Sequence, residues 1–236
     1  MLRTTDIPPS PTRATSIRNL GLLGLLGIAG VLALGIVIRS SGNGPSPLDS
    51  WWHDLQRGWR TDAGIRVAEA FDLVGGVGIV IGVTVVLIAA FLIARRFRSA
   101  ITLAVAMAVS ETVTAAIKVV IARPRPADSL SDVDVTSFPS GHTAAAATLA
   151  VTVALLIGRR FWAPAIAWIV LMAWSRTFLE AHWLSDVVAG GILGASVALL
   201  ARWLVVTATT TAATRLRRSA PAARRRARSA PSAPPS

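Results

Sequence analysis

The side chains best suited to chemistry lie in three short segments of a chain that is otherwise rich in hydrocarbon. These segments are 118–126, 139–142 and 175–186. They contain two of the three histidines, His142 and His182, and the single lysine, Lys118, of a chain with 23 arginines. Histidine changes charge near neutral pH and serves as a general acid, general base or nucleophile. Cations gathered around such a histidine are typical of a site that acts on an anion.

The third segment pairs a histidine with a carboxylate. His182 and Asp186 are four residues apart, so on a helix they face the same way. A carboxylate in that position holds one imidazole tautomer and leaves the other ring nitrogen free to attack an electrophile. A structural ion pair is the other interpretation of these two residues. Arg176 precedes them at the end of an apolar run.

The first segment places two cations on one helix face. Lys118 and Arg125 are seven residues, or two turns, apart, and the prolines at 124 and 126 end the helix. We interpret Arg123 as a side chain that snorkels to the membrane interface. Glu111, one heptad before Lys118, lies deeper on the same face; it either neutralises Lys118 or holds helices together, and we leave it outside the site.

The second segment predicts a turn that opens a helix. Gly141 allows backbone N–H groups to approach an anion closely, and the helix dipole favours negative charge there. Ser140 either adds a hydroxyl donor or is a plain N-cap. Taken together, the three segments describe phosphoryl transfer, in which positioned cations stabilise the phosphate oxygens.

Composition predicts an all-α membrane protein. The chain has 236 residues, 53% of them hydrophobic, and no cysteine that could form a disulfide or a thiolate metal site. Six apolar runs approach the roughly 20 residues that cross a bilayer. The first lacks a clear cleavage pattern and is predicted to be retained. The six runs are Leu20–Ile38, Leu73–Ala94, Ile101–Ala122, Gly141–Ile157, Trp162–Phe178 and Val187–Val206.

The positions of the basic residues predict the topology. With both termini in the cytoplasm, 16 of the 24 lysines and arginines lie on the inner side. All three chemical segments then fall on the extracytoplasmic face. The predicted organisation is a leader (1–19), a six-helix membrane domain (20–206) and a basic, disordered tail (207–236).

The net charge of +12 does not indicate nucleic-acid binding. Seven arginines lie between 215 and 228, in an Ala-, Ser- and Pro-rich tail beside a membrane helix. Such tails set topology and contact anionic lipids.

In the outer loop (39–72), an apolar stripe predicts an interfacial helix that is either a resting cap or a gate for a lipid substrate. The stripe consists of Trp51, Trp52, Leu55 and Trp59.

The three segments together resemble the signature of the type 2 phosphatidic acid phosphatase family, which shares its phosphate site with vanadium haloperoxidases. The first element is a lysine, six residues and Arg-Pro, met by Lys118 and Arg125-Pro126. The second is Pro-Ser-Gly-His, met by 139–142, and the third is Ser-Arg, five residues, His, three residues and Asp, met from Ser175 to Asp186. All eleven specified positions are present, so the resemblance is specific.

The resemblance implies a role for each of these residues. His182 would attack phosphorus to form a phosphohistidine, oriented by Asp186, while His142 would protonate the leaving oxygen and then activate water. The remaining site residues would bind the phosphate without a metal or other cofactor, and the outer face shows no compact cluster of carboxylates and histidines suited to one. These phosphate-binding residues are Lys118, Arg125, Ser140, Gly141 and Arg176.

A site at the membrane boundary suits a substrate with its tails in the bilayer. The resemblance therefore implies a bacterial lipid phosphatase, with phosphatidic acid, phosphatidylglycerol phosphate and a polyprenyl pyrophosphate such as undecaprenyl pyrophosphate as candidate substrates. A lipid phosphotransferase with the same residues is one alternative. A non-catalytic six-span transporter or scaffold is another.

Overall fold

A computed structural model describes residues 11–130 and 136–228, with side chains over 17–130 and 136–211. The described residues form eight α-helices and one short 3-10 turn, which agrees with the predicted all-α class. The turn spans Arg159–Phe161. The helices are α1 (Pro11–Ser40), α2 (Pro47–Gly58), α3 (Asp62–Gly75), α4 (Val77–Ile93), α5 (Phe97–Ile121), α6 (Gly141–Ile157), α7 (Trp162–Phe178) and α8 (Leu184–Arg228).

Several helices are long and apolar enough to cross a bilayer. Within the described residues these are α1 over 17–40, α5, and α8 over 184–211. Helices α3 and α4 pass the same test together but are bent by 50° at Gly76. Helices α6 and α7 have 17 residues each, at the lower end of the length that crosses a bilayer. The chain is thus a multi-helix membrane protein, and the count of six crossings stays a prediction.

The two ends of the chain differ in part from their predicted form. The backbone of α8 continues as a helix to Arg228, so the prediction of a disordered tail is wrong for 207–228. Alanine and arginine both favour helix, and here they extend the preceding span. At the other end, α1 already begins at Pro11, inside the predicted leader. The rest of these two segments, 1–10 and 229–236, lies outside the described residues.

The outer loop contains the predicted amphipathic helix, α2. Ser46 and Asp49 form a reciprocal capping box at its start, with hydrogen bonds of 3.0 and 3.1 Å between each side chain and the other residue's backbone N–H. Trp51 and Trp59 are exposed, as expected for side chains that rest in a headgroup layer. Its inward face carries Asp49 and Gln56, both buried. Helix α2 is therefore fixed to the membrane domain on one side only.

The crossing of α6 and α8 sets the position of the candidate site. A Cβ atom on Gly190 would lie 2.5 Å from the carbonyl oxygen of Ser140, and one on Gly194 would lie 2.2 Å from that of Ala144. These glycines are four residues apart, the small-xxx-small pattern that lets membrane helices touch backbone to backbone. Beside this crossing, the backbone N–H of Ser140 donates a 3.0 Å hydrogen bond to the carbonyl of Asp186. The second and third chemical segments are joined there.

Candidate active site

Side chains from all three segments line one cavity of about 970 Å³. At its polar end lie Lys118, Arg125, Gly141, His142 and His182. The other site residues predicted from sequence are fully buried rather than part of this lining. They are Ser140, Arg176 and Asp186.

One ring nitrogen of His182 faces the cavity, and the other faces Asp186. Nη1 of Arg125 lies 3.2 Å from Nε2 of His182, and Oδ2 of Asp186 lies 3.7 Å from Nδ1. The second distance is that of an ion pair and is longer than a hydrogen bond. Burial lowers the pKa of His182, and the cations Arg125 and Arg176 lower it further, although Asp186 opposes the shift. The imidazole is therefore held neutral, with the Nε2 lone pair on the side of the cations.

Arg123 corrects a prediction, since it is buried and does not snorkel to the interface. Its Nη1 donates to Oδ1 of Asp186 at 2.7 Å, and its Nη2 donates to Oδ2 of Asp49 at 2.9 Å. Burial alone would raise the pKa of Asp49, but hydrogen bonds from the Ser185 backbone and from Arg123 outweigh it, and the pKa is lowered. One guanidinium thus joins the carboxylate beside His182 to the start of α2. The helix ends at Ile121, two residues before Arg123, so the chain turns inward there.

The turn before α6 packs its serine inward. Ser140 occupies the N-cap position of α6, as one of the two interpretations predicted, but its side chain makes no capping hydrogen bond. Its hydroxyl oxygen instead accepts a 3.1 Å hydrogen bond from Oγ1 of Thr143. A Cβ atom on Gly141 would lie 3.9 Å from Cε of Lys118, so the start of α6 adjoins the lysine side chain. Nζ of Lys118 also donates to the carbonyl of Thr136 at 2.8 Å.

His142 and Arg176 meet at a carboxylate that the sequence did not single out. Oδ1 of Asp72 lies 3.1 Å from Nε2 of His142. The same oxygen is paired with Nη1 of Arg176. Asp72 belongs to α3, far in sequence from the three segments, and only the bend between α3 and α4 brings it here. Spacing in the sequence gave no signal for it.

A second ionisable cluster lies on the same face, and it overturns one prediction. His53, Asp128 and Glu180 bring one ligand atom each to within 4.8 Å of one another. The expectation that no compact cluster of this kind exists is therefore wrong, because loops distant in sequence converge there. Two arginines already pair with its carboxylates, Arg60 with Glu180 and Arg57 with Asp128 at 3.3 Å. Adjacent guanidinium groups compete with a metal cation for these oxygens.

The apolar part of the cavity runs down between α4 and α5. Its walls are mainly aliphatic, and one carboxylate, that of Glu111, lies among them. Glu111 is exposed to this space rather than packed in a helix interface. The apolar wall residues are Val77, Val80, Ile81, Val85, Met107, Ala108 and Ala115.

Comparison with known proteins gives a family match for part of the chain. Residues 99–210 match the model of the PAP2 superfamily. Over 64 residues, or 27% of this chain, the sequence is 39% identical to an undecaprenyl-diphosphatase from Sulfolobus acidocaldarius. That match spans 31% of the relative's length.

Two solved structures have the same fold. The first is a transmembrane PAP2 type phosphatidylglycerolphosphate phosphatase from Bacillus subtilis, with a TM-score of 0.64 and 20% identity, over 78% of this chain and 96% of that one. The second is LpxE from Aquifex aeolicus, with a TM-score of 0.56 and 21% identity, over 63% of this chain and 91% of that one.

Proposed function

Because residues 99–210 belong to the PAP2 superfamily, as the three motifs predicted, we propose that the chain is a membrane phosphatase that hydrolyses a lipid phosphate or pyrophosphate. The cavity is the observation that carries this proposal. Its polar end holds two cations and two histidines, and its remaining wall is mainly aliphatic. A phosphate group fits the polar end, while a hydrocarbon tail fits the channel between α4 and α5. Polyprenyl pyrophosphate, phosphatidic acid and phosphatidylglycerol phosphate all have this shape.

The first step is attack on phosphorus by Nε2 of His182. The contact of 3.2 Å with Nη1 of Arg125 places a donor beside this nitrogen, so its lone pair is unprotonated and Nδ1 carries the ring proton towards Asp186. The bond from Nε2 to phosphorus forms as the bond from phosphorus to the leaving oxygen breaks. Asp186 stabilises the positive charge that develops on the ring.

Phosphate binding falls to the cations and the turn before α6. Lys118 and Arg125 line the cavity with His182 and spread positive charge over the phosphate oxygens. Arg176 is buried behind this lining, and its charge, which is felt at His182, adds to theirs. The N-terminus of α6, at Ser140 and Gly141, adds backbone N–H groups and the favourable end of the helix dipole. Removing one such donor typically lowers the rate by about 100-fold or more.

His142 completes the cycle. It gives a proton to the leaving oxygen in the first step and accepts one from water in the second. Water oxygen then bonds to phosphorus, the phosphorus–nitrogen bond breaks, and its electron pair returns to His182. No step requires a metal, because the cations supply the charge stabilisation that a metal provides elsewhere.

The site faces the extracytoplasmic side in this proposal, with six crossings and both termini in the cytoplasm. The distribution of basic residues supports this orientation, because 16 of 24 lie on the side of the termini. The exposed tryptophans Trp51, in α2, and Trp59, directly after it, support a location of the outer loop in the headgroup layer. A lipid headgroup then meets the polar end of the cavity without leaving the bilayer.

Phosphate release from a panel of lipids tests the proposal. Purified wild-type protein in detergent should release phosphate from at least one lipid phosphate or pyrophosphate, and His182→Ala should release none. Glu69→Gln, an exposed change on α3, is the matched control and should keep full activity. A chelator should leave the wild-type rate unchanged. Absence of turnover across the panel, or activity in His182→Ala, would overturn the proposal.

A further inference from the structure

Asp72 reaches into the site from the end of α3 and contacts two residues at once. Oδ1 of this residue lies 3.1 Å from Nε2 of His142 and is paired with Nη1 of Arg176. The side chain of Arg176 is fully buried, whereas that of Asp72 keeps 28% of its surface exposed. We propose that Asp72 is a positioning residue that holds His142 for proton transfer to the leaving oxygen. This inference rests on the proposed phosphatase function.

The packing around Asp72 fixes its carboxylate in place. Three residues further on, a Cβ atom on Gly75 would lie 2.4 Å from Cε of Met172 and 3.3 Å from Cδ2 of His142. The end of α3 is therefore pressed against the imidazole that Asp72 contacts. Helix α3 ends at this point because the chain breaks at Gly76, and the axis of α4 is bent by 50° from that of α3.

The contact selects which nitrogen of His142 does chemistry. Because Nε2 faces the carboxylate, it carries a proton in both charge states of the ring, and Nδ1 is left for the substrate. In the charged ring Nδ1 donates its proton to the leaving oxygen. In the neutral ring Nδ1 accepts a proton from water. Without the carboxylate, the ring is free to turn or to take the other tautomer.

The two histidines thus have separate carboxylates from separate helices. Asp186 of α8 lies beside His182, and Asp72 of α3 lies beside His142. Loss of Asp186 affects attack on every substrate. In the first step, loss of Asp72 impairs the proton transfer to the leaving group, so its effect on that step depends on how much the leaving group needs that proton. The second step, in which His142 activates water, is common to all substrates and does not enter kcat/KM. A damaged fold would show no such dependence.

Two substrates with the same tail make this dependence measurable. Octyl phosphate releases an alcohol that must be protonated as it leaves, whereas 4-octyl-2-nitrophenyl phosphate releases an acidic nitrophenol that leaves as an anion. In Asp72→Asn, we expect kcat/KM for octyl phosphate, which reports the steps up to departure of the leaving group, to fall by about 100-fold, the order of a general-acid contribution. The kcat/KM for the nitrophenyl ester should fall by less than about threefold.

Further variants complete the test. Glu69→Gln removes the same charge from an exposed position on the same helix and should change neither rate. Asp72→Glu keeps the carboxylate and should recover part of the octyl phosphate rate. Equal losses on both esters in Asp72→Asn would overturn the inference. If Asp72→Asn is unstable, equal losses on both esters in Asp72→Glu as well would overturn it. If wild-type protein hydrolyses neither ester nor any lipid phosphate, the proposed function itself fails.

Discussion

Nη1 of Arg123 donates a 2.7 Å hydrogen bond to Oδ1 of Asp186, and neither side chain is exposed to solvent. The other amino group of the same guanidinium binds Asp49, at the start of α2. The carboxylate beside His182 is therefore held by a residue two positions before the Arg125 of the phosphate site. Arg123 links the outer helix to the chemistry without lining the cavity.

Arg123→Ala should destabilise the protein and reduce its activity. It leaves two buried carboxylates without their cation, and breaking such a pair costs about 3–5 kcal/mol. Thermal unfolding in detergent and phosphate release measure the two effects. Arg66→Ala, an exposed arginine of α3, is the control and should change neither. Arg123→Lys keeps the charge but cannot reach both carboxylates in the same way, so it should recover only part of the loss. An Arg123→Ala protein with wild-type stability would contradict the burial of this pair.

The activity should persist into mildly acidic solution. His182 attacks only when neutral, and burial lowers its pKa below the ordinary value, so protonation occurs at lower pH than usual. The acid limb of kcat/KM is then expected below about pH 6.5, the unperturbed value for histidine. Asp186 raises the pKa, whereas Arg125 and Arg176 lower it.

Asp186→Asn provides the comparison for this pH dependence. It removes a group that raises the pKa of His182, so the acid limb should move to still lower pH while kcat falls. Comparing the two proteins on one substrate cancels the ionisation of the substrate itself. A limb that moves upward in Asp186→Asn would show that this limb does not report His182.

Gly194→Ala should separate α6 from α8. The added Cβ atom would lie 2.2 Å from the carbonyl oxygen of Ala144, a backbone atom that cannot rotate away. Overpacking of this kind costs about 1–3 kcal/mol. Thermal unfolding should show the loss, and phosphate release should fall because the turn before α6 shifts. Gly82→Ala on α4 meets nothing within 4 Å and is the matched control, with unchanged stability. Equal behaviour of the two variants would argue against the close crossing.

Val85→Trp should obstruct the channel for the lipid tail. Val85 lines the cavity between α4 and α5, whereas its neighbour Val86 does not. We expect Val85→Trp to raise KM for dioctanoyl phosphatidic acid by about tenfold, consistent with loss of apolar contact along the tail. Hydrolysis of 4-nitrophenyl phosphate, which has no tail, should be unaffected. Val86→Trp should alter neither. If both substrates are affected equally, the tail does not lie in this channel.

Much of the candidate site was predictable from local spacing. The spacing of the three motifs identified the residues that meet at the cavity. The shared helix faces predicted for Lys118 with Arg125 and for His182 with Asp186 are wrong, because α5 ends at Ile121 and α8 begins only at Leu184. Arg125 and His182 lie in the adjoining turns, and tertiary contacts bring them to their partners. The bounds of α6 and α7 agree with the predicted apolar runs, since the length of an apolar run is a local property of the sequence.

Residues that act across the fold were not predictable in this way. Asp72, Arg123 and Asp49 carry ordinary charged side chains at positions with no motif, and Arg123 was misinterpreted as an interfacial residue. The cluster of His53, Asp128 and Glu180 was missed for the same reason, since it unites three separate elements. Likewise, the tail beyond residue 206 was predicted disordered from composition, but its helix continues from the span before it.

The sequence by itself determined the all-helical membrane class, the match of residues 99–210 to the PAP2 superfamily and the set of residues proposed for the phosphate chemistry, because apolar runs and motif spacing are local properties. Only the tertiary structure decided which carboxylate accompanies each histidine, that Arg123 is buried, and where the apolar channel meets the cations. Those relationships depend on the backbone contact at Gly190 and Gly194 and on the bend at Gly76. A buried charge is stable only beside its partner, and the partner is chosen by the packing of helices that are distant in the chain.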